Sequence, residues 1–154
     1  MPTSTTASST ASPDEIARFA AIADEWWDDT GKFKPLHKLN PVRVRFVRDC
    51  LSGHFGRDPI ATDPLANISV LDVGCGGGLM SEPLCRLGAA MTSIDAGDET
   101  VEVARSHAMR NDLGIAYRQA TPEVLAEEHL SFDAVMSLEV IEHDPDVNAF
   151  LAAV

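Results

Sequence analysis

The chain has 154 residues, 45% of them apolar, and carries 24 acidic against 12 basic side chains for a net charge of −12. That is one domain of ordinary size with enough apolar material for a core, and its acidic balance argues against nucleic acid as a partner, because phosphate contacts need clustered Lys and Arg. No apolar run approaches the roughly 20 residues of a membrane span, and Cys50, Cys75 and Cys85 form no CxxC pair, an odd count that fits a reducing compartment.

Residues 1–11 are Ser, Thr and Ala without an apolar pattern and are expected to be a disordered tail. The first arginine is Arg18, so this start lacks the basic pattern of a mitochondrial transit peptide. Ser12-Pro13-Asp14-Glu15 reads as a helix start: Ser12 caps, Pro13 takes the first helical position and Glu15 completes a capping box. Ile16, Phe19, Ala20, Ala23, Trp26 and Trp27 follow at helical spacing, with an end near Asp28 or Asp29. Residues 32–41 contain Pro35 and Pro41 and are expected to be a loop. A second helix is then expected over 41–55. Val42, Phe46, Val47, Cys50 and Leu51 form its apolar stripe, and Arg43, Arg45 and Arg48 its basic side. Residues 57–66 read as a linker. The expected division is a helical cap and linker over 12–66 and a sheet domain over 67–154.

The sheet domain opens on Val70-Leu71-Asp72-Val73-Gly74-Cys75-Gly76-Gly77-Gly78, a buried strand running into a glycine turn. A helix is expected over 79–87, stopping at Gly88. A second strand, Ala90-Met91-Thr92-Ser93-Ile94, ends on Asp95. This strand–glycine–helix–strand–acid unit is how an open α/β sheet holds a nucleoside at its carboxyl edge. A dinucleotide fingerprint would need a third glycine where Leu79 stands, and no lysine follows the glycines to make a phosphate-cradling P-loop. A carboxylate at Asp95 can accept two hydrogen bonds from a vicinal diol. Further on, Gly97 and Asp98 precede a helix expected over 99–111, with Gly114 as its stop. Strand three is expected over 115–119 and a short helix from Thr121-Pro122-Glu123 to His129. Strand four is expected over 132–138. Its end carries Glu139-Val140-Ile141-Glu142-His143, and Asp144-Pro145-Asp146 starts a last helix.

The spacing Gly74-x-Gly76-x-Gly78, preceded by Asp72 and followed by Asp95, resembles the first motif of class I S-adenosylmethionine-dependent methyltransferases. Ala23-Asp24-Glu25-Trp26-Trp27-Asp28 and Phe33-Lys34-Pro35-Leu36-His37-Lys38-Leu39-Asn40-Pro41-Val42-Arg43 resemble the start of the ubiquinone-biosynthesis O-methyltransferases, and residues 71–83 fit the same family. The resemblance implies an α/β fold, the Rossmann-like class I methyltransferase sandwich, here truncated after strand four and preceded by a helical cap. A complete sheet of that family has seven strands, of which four are expected in this chain. Strand four would then be an uncovered apolar edge.

The implied cofactor is S-adenosylmethionine. Gly74 and Gly76 would pass under its methionine part, Asp95 would take the ribose hydroxyls, and Arg43 would hold the carboxylate through its guanidinium fork. Leu138 would pack against it, and Gln119 and Ala120 would meet the adenine. The family's metal ligands correspond to Glu139, Glu142 and His143. Magnesium is the usual ion, although a histidine ligand leaves zinc or another transition metal open. His143 is alternatively the general base, since its unperturbed pKa lies near working pH. Asp144 stands where the family has an apolar residue.

The implied substrate is a polyprenylated catechol or hydroquinone. That in turn implies a bacterial cytoplasmic protein with peripheral contact to the inner membrane and membership of a quinone-pathway complex. Two other functions stay open: methylation of another small molecule, and a non-catalytic fragment that binds cofactor or only contributes to a quinone-pathway complex. Trp26 and Trp27 read either as part of a lid or as the residues that dock a helix on the core. His37 and Lys38 read either as lining a quinol entrance or as an exposed loop. Cys75 reads as a small packing residue, and His54, His107 and His129 belong to no recognisable constellation.

Overall fold

Along strand β1 (Ser69–Val73), Val70 and Asp72 share one face and Leu71 and Val73 the other, and all four are buried. A strand covered on both faces reads as a nearly continuous apolar run, the mark of a parallel sheet between helical layers. The computed structural model, which describes residues 12–14, 18 and 25–154, bears this out. Strands β2 (Ala90–Asp95), β3 (Ala116–Gln119) and β4 (Ala134–Ser137) join β1 in one sheet of order β3-β2-β1-β4. Every pairing is parallel, and Val73 sits opposite both Ile94 and Ser137. Helix α1 (Lys34–His54) precedes the sheet, and α2 (Ser81–Arg86), α3 (Asp98–Arg110) and α4 (Pro122–Glu127) make the crossovers. Helix α5 (Val147–Ala153) follows β4. The chain steps outward from β1 to β3 and then returns to the other side of β1. The carboxyl edge between β1 and β4 is therefore the switch point where such sheets bind ligands.

One face of the sheet packs Val70, Met91 and Met136 against Val47 of α1 and Leu84 of α2. The other packs Leu71, Val73 and Ile94 against Leu125 of α4 and Phe150 of α5. Val101, Ala104 and Ala108 of α3 close on Tyr117 and Cys75.

The tail expected over 1–11 and half of the helix expected over 12–29 lie outside the described residues. The loop expected over 32–41 is instead the start of α1, which runs through Pro41. Pro35 explains its beginning, because a first-turn proline is pre-set for helix and lacks an N–H that would be orphaned anyway. Pro41 removes one internal hydrogen bond, a cost of about 3 kcal/mol in an undocked helix. Docking holds these turns in place: Phe33 is buried and stacks on Trp26 at 4.0 Å, and Asn40 donates to the Leu79 carbonyl at 2.6 Å. Sequence patterning sees the proline and not the partner 39 residues beyond Asn40. The stop of α3 also differs. Asp112, at φ 55°, takes the left-handed position expected of Gly114. The amides of Asp112 and Leu113 reach back to Met109 and Ala108, a Schellman ending.

Candidate functional site

The glycine loop leaves β1 at Gly74 (φ 71°) and turns again at Gly76 (φ 54°). Neither position admits a side chain. A Cβ on Gly74 would lie 2.3 Å from Val140, and one on Gly76 would lie 2.5 Å from the Trp26 ring. The loop forms one wall of a cavity of about 460 Å³ at the carboxyl edge of the sheet. Arg43 enters the cavity from α1, Asp95 from the end of β2, and Leu138, Glu139, Glu142 and His143 from the turn after β4. Arg43, Gly74, Gly76, Asp95, Leu138, Glu139, Glu142 and His143, all expected from the sequence, therefore line this one space. Trp26 and Ala120 line it too. Gln119 does not: its amide donates to the Ala96 carbonyl. His37 is also turned elsewhere, donating to the Trp26 carbonyl at 2.9 Å.

Asp95 is held by the loops it serves. One carboxylate oxygen accepts from the Gly76 amide and the other from the Gly97 amide, each at 3.0 Å. Burial raises its pKa, and those backbone donors oppose the rise. A carboxylate has about four acceptor sites, so capacity remains for a diol. Behind the loop lies Asp72, a cavity-lining acid that the sequence marks only as the residue before the glycines. It is 4% exposed and accepts a 2.6 Å hydrogen bond from Ser81, which in turn accepts from Ser93 at 2.8 Å. Burial pushes the Asp72 carboxyl up from 3.8 to about 6; the Ser81 hydroxyl works against that, and the nearby Asp95 adds to it. Periodicity had no means of finding this chain, because its serines come from α2 and β2.

The turn after β4 is tightly wound. Glu139 sits at φ 58°, and Ile141–His143 is a single 3₁₀ turn. His143 Nε2 lies 3.9 Å from a Glu142 oxygen. Among the described residues no three His, Cys, Asp or Glu side chains are gathered so as to hold a metal ion. Glu139, Glu142 and His143 line the same cavity. Cys75 is buried in the loop, and burial followed by the charge of Asp72 raises its thiol pKa well above the ordinary value. It is a packing residue, as its sequence context suggests.

Residues 71–154 match the family model described as "Methyltransferase domain". The chain is 56% identical over 142 residues to a ubiquinone biosynthesis O-methyltransferase of Paramagnetospirillum magneticum, covering 92% of this chain and 57% of that protein. It is 49% identical over 148 residues to the protein of the same description from Sinorhizobium medicae, covering 96% and 60%. The chain thus spans less than two thirds of the length of these curated relatives. Among solved structures it resembles magnesium protoporphyrin IX methyltransferase from Synechocystis PCC 6803 with bound S-adenosylhomocysteine. The TM-score is 0.60 at 21% identity, over 92% of this chain and 61% of that one, a likeness of fold.

Proposed function

The chain belongs to the methyltransferase-domain family, and from that premise we propose that it is the cofactor-binding part of an S-adenosylmethionine-dependent O-methyltransferase acting on a polyprenylated catechol or hydroquinone in ubiquinone biosynthesis. The observation that carries this reading is the convergence of Arg43, Gly74, Gly76, Asp95 and Leu138 on one cavity. Asp95 offers its remaining acceptor sites to the ribose diol, and Arg43 offers a fork to the cofactor carboxylate. The buried acid Asp72 supplies negative charge to a ligand that carries an ammonium and a sulfonium.

The reaction is an in-line displacement. The phenol oxygen attacks the methyl carbon, the carbon–sulfur bond breaks with its electron pair moving to sulfur, and the phenol proton leaves to a base. A phenol has a pKa of roughly 10, so the protein must take that proton and align the attack. His143, on the cavity wall after β4, is the proposed base. Magnesium suits Glu139, Glu142 and His143 by ligand type, but the three would have to draw together to hold it, and no step is assigned to it. The polyprenyl tail of the substrate would partition into lipid, which is the basis for proposing peripheral contact with the inner membrane from the cytoplasmic side and work within a quinone-pathway complex. No helix among the described residues is long and apolar enough to cross a membrane.

The test is transfer of labelled methyl from S-adenosylmethionine to a prenylated catechol, with a soluble catechol alongside, by wild type and His143→Gln. The proposal predicts preference for the prenylated acceptor. It also predicts a loss of kcat of about 10²–10⁴-fold in the variant, with cofactor affinity kept. Equal use of both acceptors would favour another small molecule as substrate, and unchanged kcat in His143→Gln would remove His143 as the base.

A further inference from the structure

The cavity does not account for Glu82. This carboxylate, at the start of α2, is fully buried and does not line the cavity. It accepts a 2.6 Å hydrogen bond from Nδ1 of His107 on α3 and a 3.3 Å one from Arg86. The His107 ring lies flat against Trp27, with centroids 3.6 Å apart and planes 3° from parallel. Trp27 in turn donates from its indole nitrogen to the Gly77 carbonyl at 2.9 Å. Its neighbour Trp26 covers the same loop, so closely that a Cβ on Gly77 would lie 2.4 Å from the Trp26 Cβ. From α1, His37 holds the Trp26 carbonyl and sets its ring edge toward Trp27.

A buried acid on a helix is expensive unless its partners are well placed. Here the partners are, and the chain of contacts they start ends on the backbone of the glycine loop. Neither Trp27, His107 nor Glu82 lines the cavity, so none is a cofactor contact. We propose that Trp27 is a positioning residue: its N–H fixes the Gly77 carbonyl and with it the loop conformation that receives the cofactor, and the His107–Glu82 pair fixes the plane of the Trp27 ring. Cofactor affinity then depends on three side chains outside the pocket. The inference rests on the reading of the glycine loop as the cofactor loop.

The experiment is calorimetric titration with S-adenosylhomocysteine at a temperature where circular dichroism shows each protein folded. Trp27→Phe keeps a ring on His107 and loses the donor. His107→Phe keeps a ring on Trp27 and loses the bond to Glu82. Each is expected to raise Kd about tenfold, the scale of one modest hydrogen bond. In the methyl-transfer assay, KM for the cofactor rises and kcat at saturation stays within about twofold. Residues acting in series are not additive, so the double variant should bind no more weakly than the weaker single one. A Kd within about twofold of wild type in Trp27→Phe, or multiplied effects in the double variant, would overturn the proposal. Lower melting temperature with unchanged Kd would show a structural role only and overturn it too. If His107→Phe does not fold, Trp27→Phe alone decides. Failure of the wild type to bind would instead overturn the cofactor reading, and this inference with it.

Discussion

Asp72 shows how one buried side chain can serve a ligand at the expense of the free protein. Its carboxyl titrates at about 6 in the folded chain, against 3.8 ordinarily, chiefly because burial penalises the charge. The folded state therefore holds a proton that the unfolded state has already released. Stability from this group is fully present below about pH 4 and is lost as pH rises through about 6, a cost of about 3 kcal/mol by linkage. Asp72→Asn keeps an acceptor for the Ser81 hydroxyl and cannot ionise. Thermal melts of the ligand-free protein between pH 4 and pH 7.5 should show the variant gaining on wild type as pH rises. Parallel curves would mean that Asp72 is not desolvated as described. Near neutral pH the ionised carboxylate faces a cavity whose proposed ligand is cationic, so the same charge becomes favourable on binding.

At the scale of elements, four helices end in the same way. Gly56, Gly88, Asp112 and His129 occupy the left-handed position after α1, α2, α3 and α4. In each case that residue's own amide and the next one bond back into the last turn. Two of the four are not glycine, and the left-handed conformation is costly for residues with a Cβ. Asp112→Gly should raise stability by a few tenths to about 1 kcal/mol, measured by urea unfolding. A loss would show that the Asp112 side chain contributes more than its backbone strain costs. This ending also marks where sequence reading failed. Glycine is the visible signal for a stop, so Gly114 drew the expectation, and an aspartate in the same role has no signature. Elements held by local pattern were legible: β1 and β2, the glycine loop, α3 and the start of α5 at Asp146, whose side chain accepts from the Ala149 amide as a cap. Elements held by distant partners were not: Pro41 inside α1 depends on Leu79 through Asn40, and Glu82 with His107 depends on a tryptophan in a different part of the chain. Gly74, Gly76, Asp95 and Leu138 were legible because they stand at strand ends, where topology brings them together, whereas Arg43, inside α1, was legible only through the family resemblance; their hydrogen-bonded support was not legible.

For the whole molecule, charge and shape divide by region. The net charge is −12, yet Arg43, Arg45 and Arg48 sit together on α1, and Arg43 alone of these reaches the cavity. A cofactor with a carboxylate beside an ammonium at one end, a sulfonium in the middle and a ribose diol at the other meets matching groups in that cavity: Arg43 for the carboxylate, Asp72 for positive charge and Asp95 for the diol. β4 forms one edge of the described sheet, with Val135 41% exposed, and the turn after it carries His143. The central claim is about the cofactor, and calorimetric titration with S-adenosylhomocysteine, with NADH as the control, tests it most directly. The account predicts micromolar binding of the first alone, weakened about ten- to a hundredfold in Asp95→Ala, the loss expected for hydrogen bonds to a charged group. A chain that is folded by circular dichroism and binds neither, or that binds NADH in preference, would contradict it.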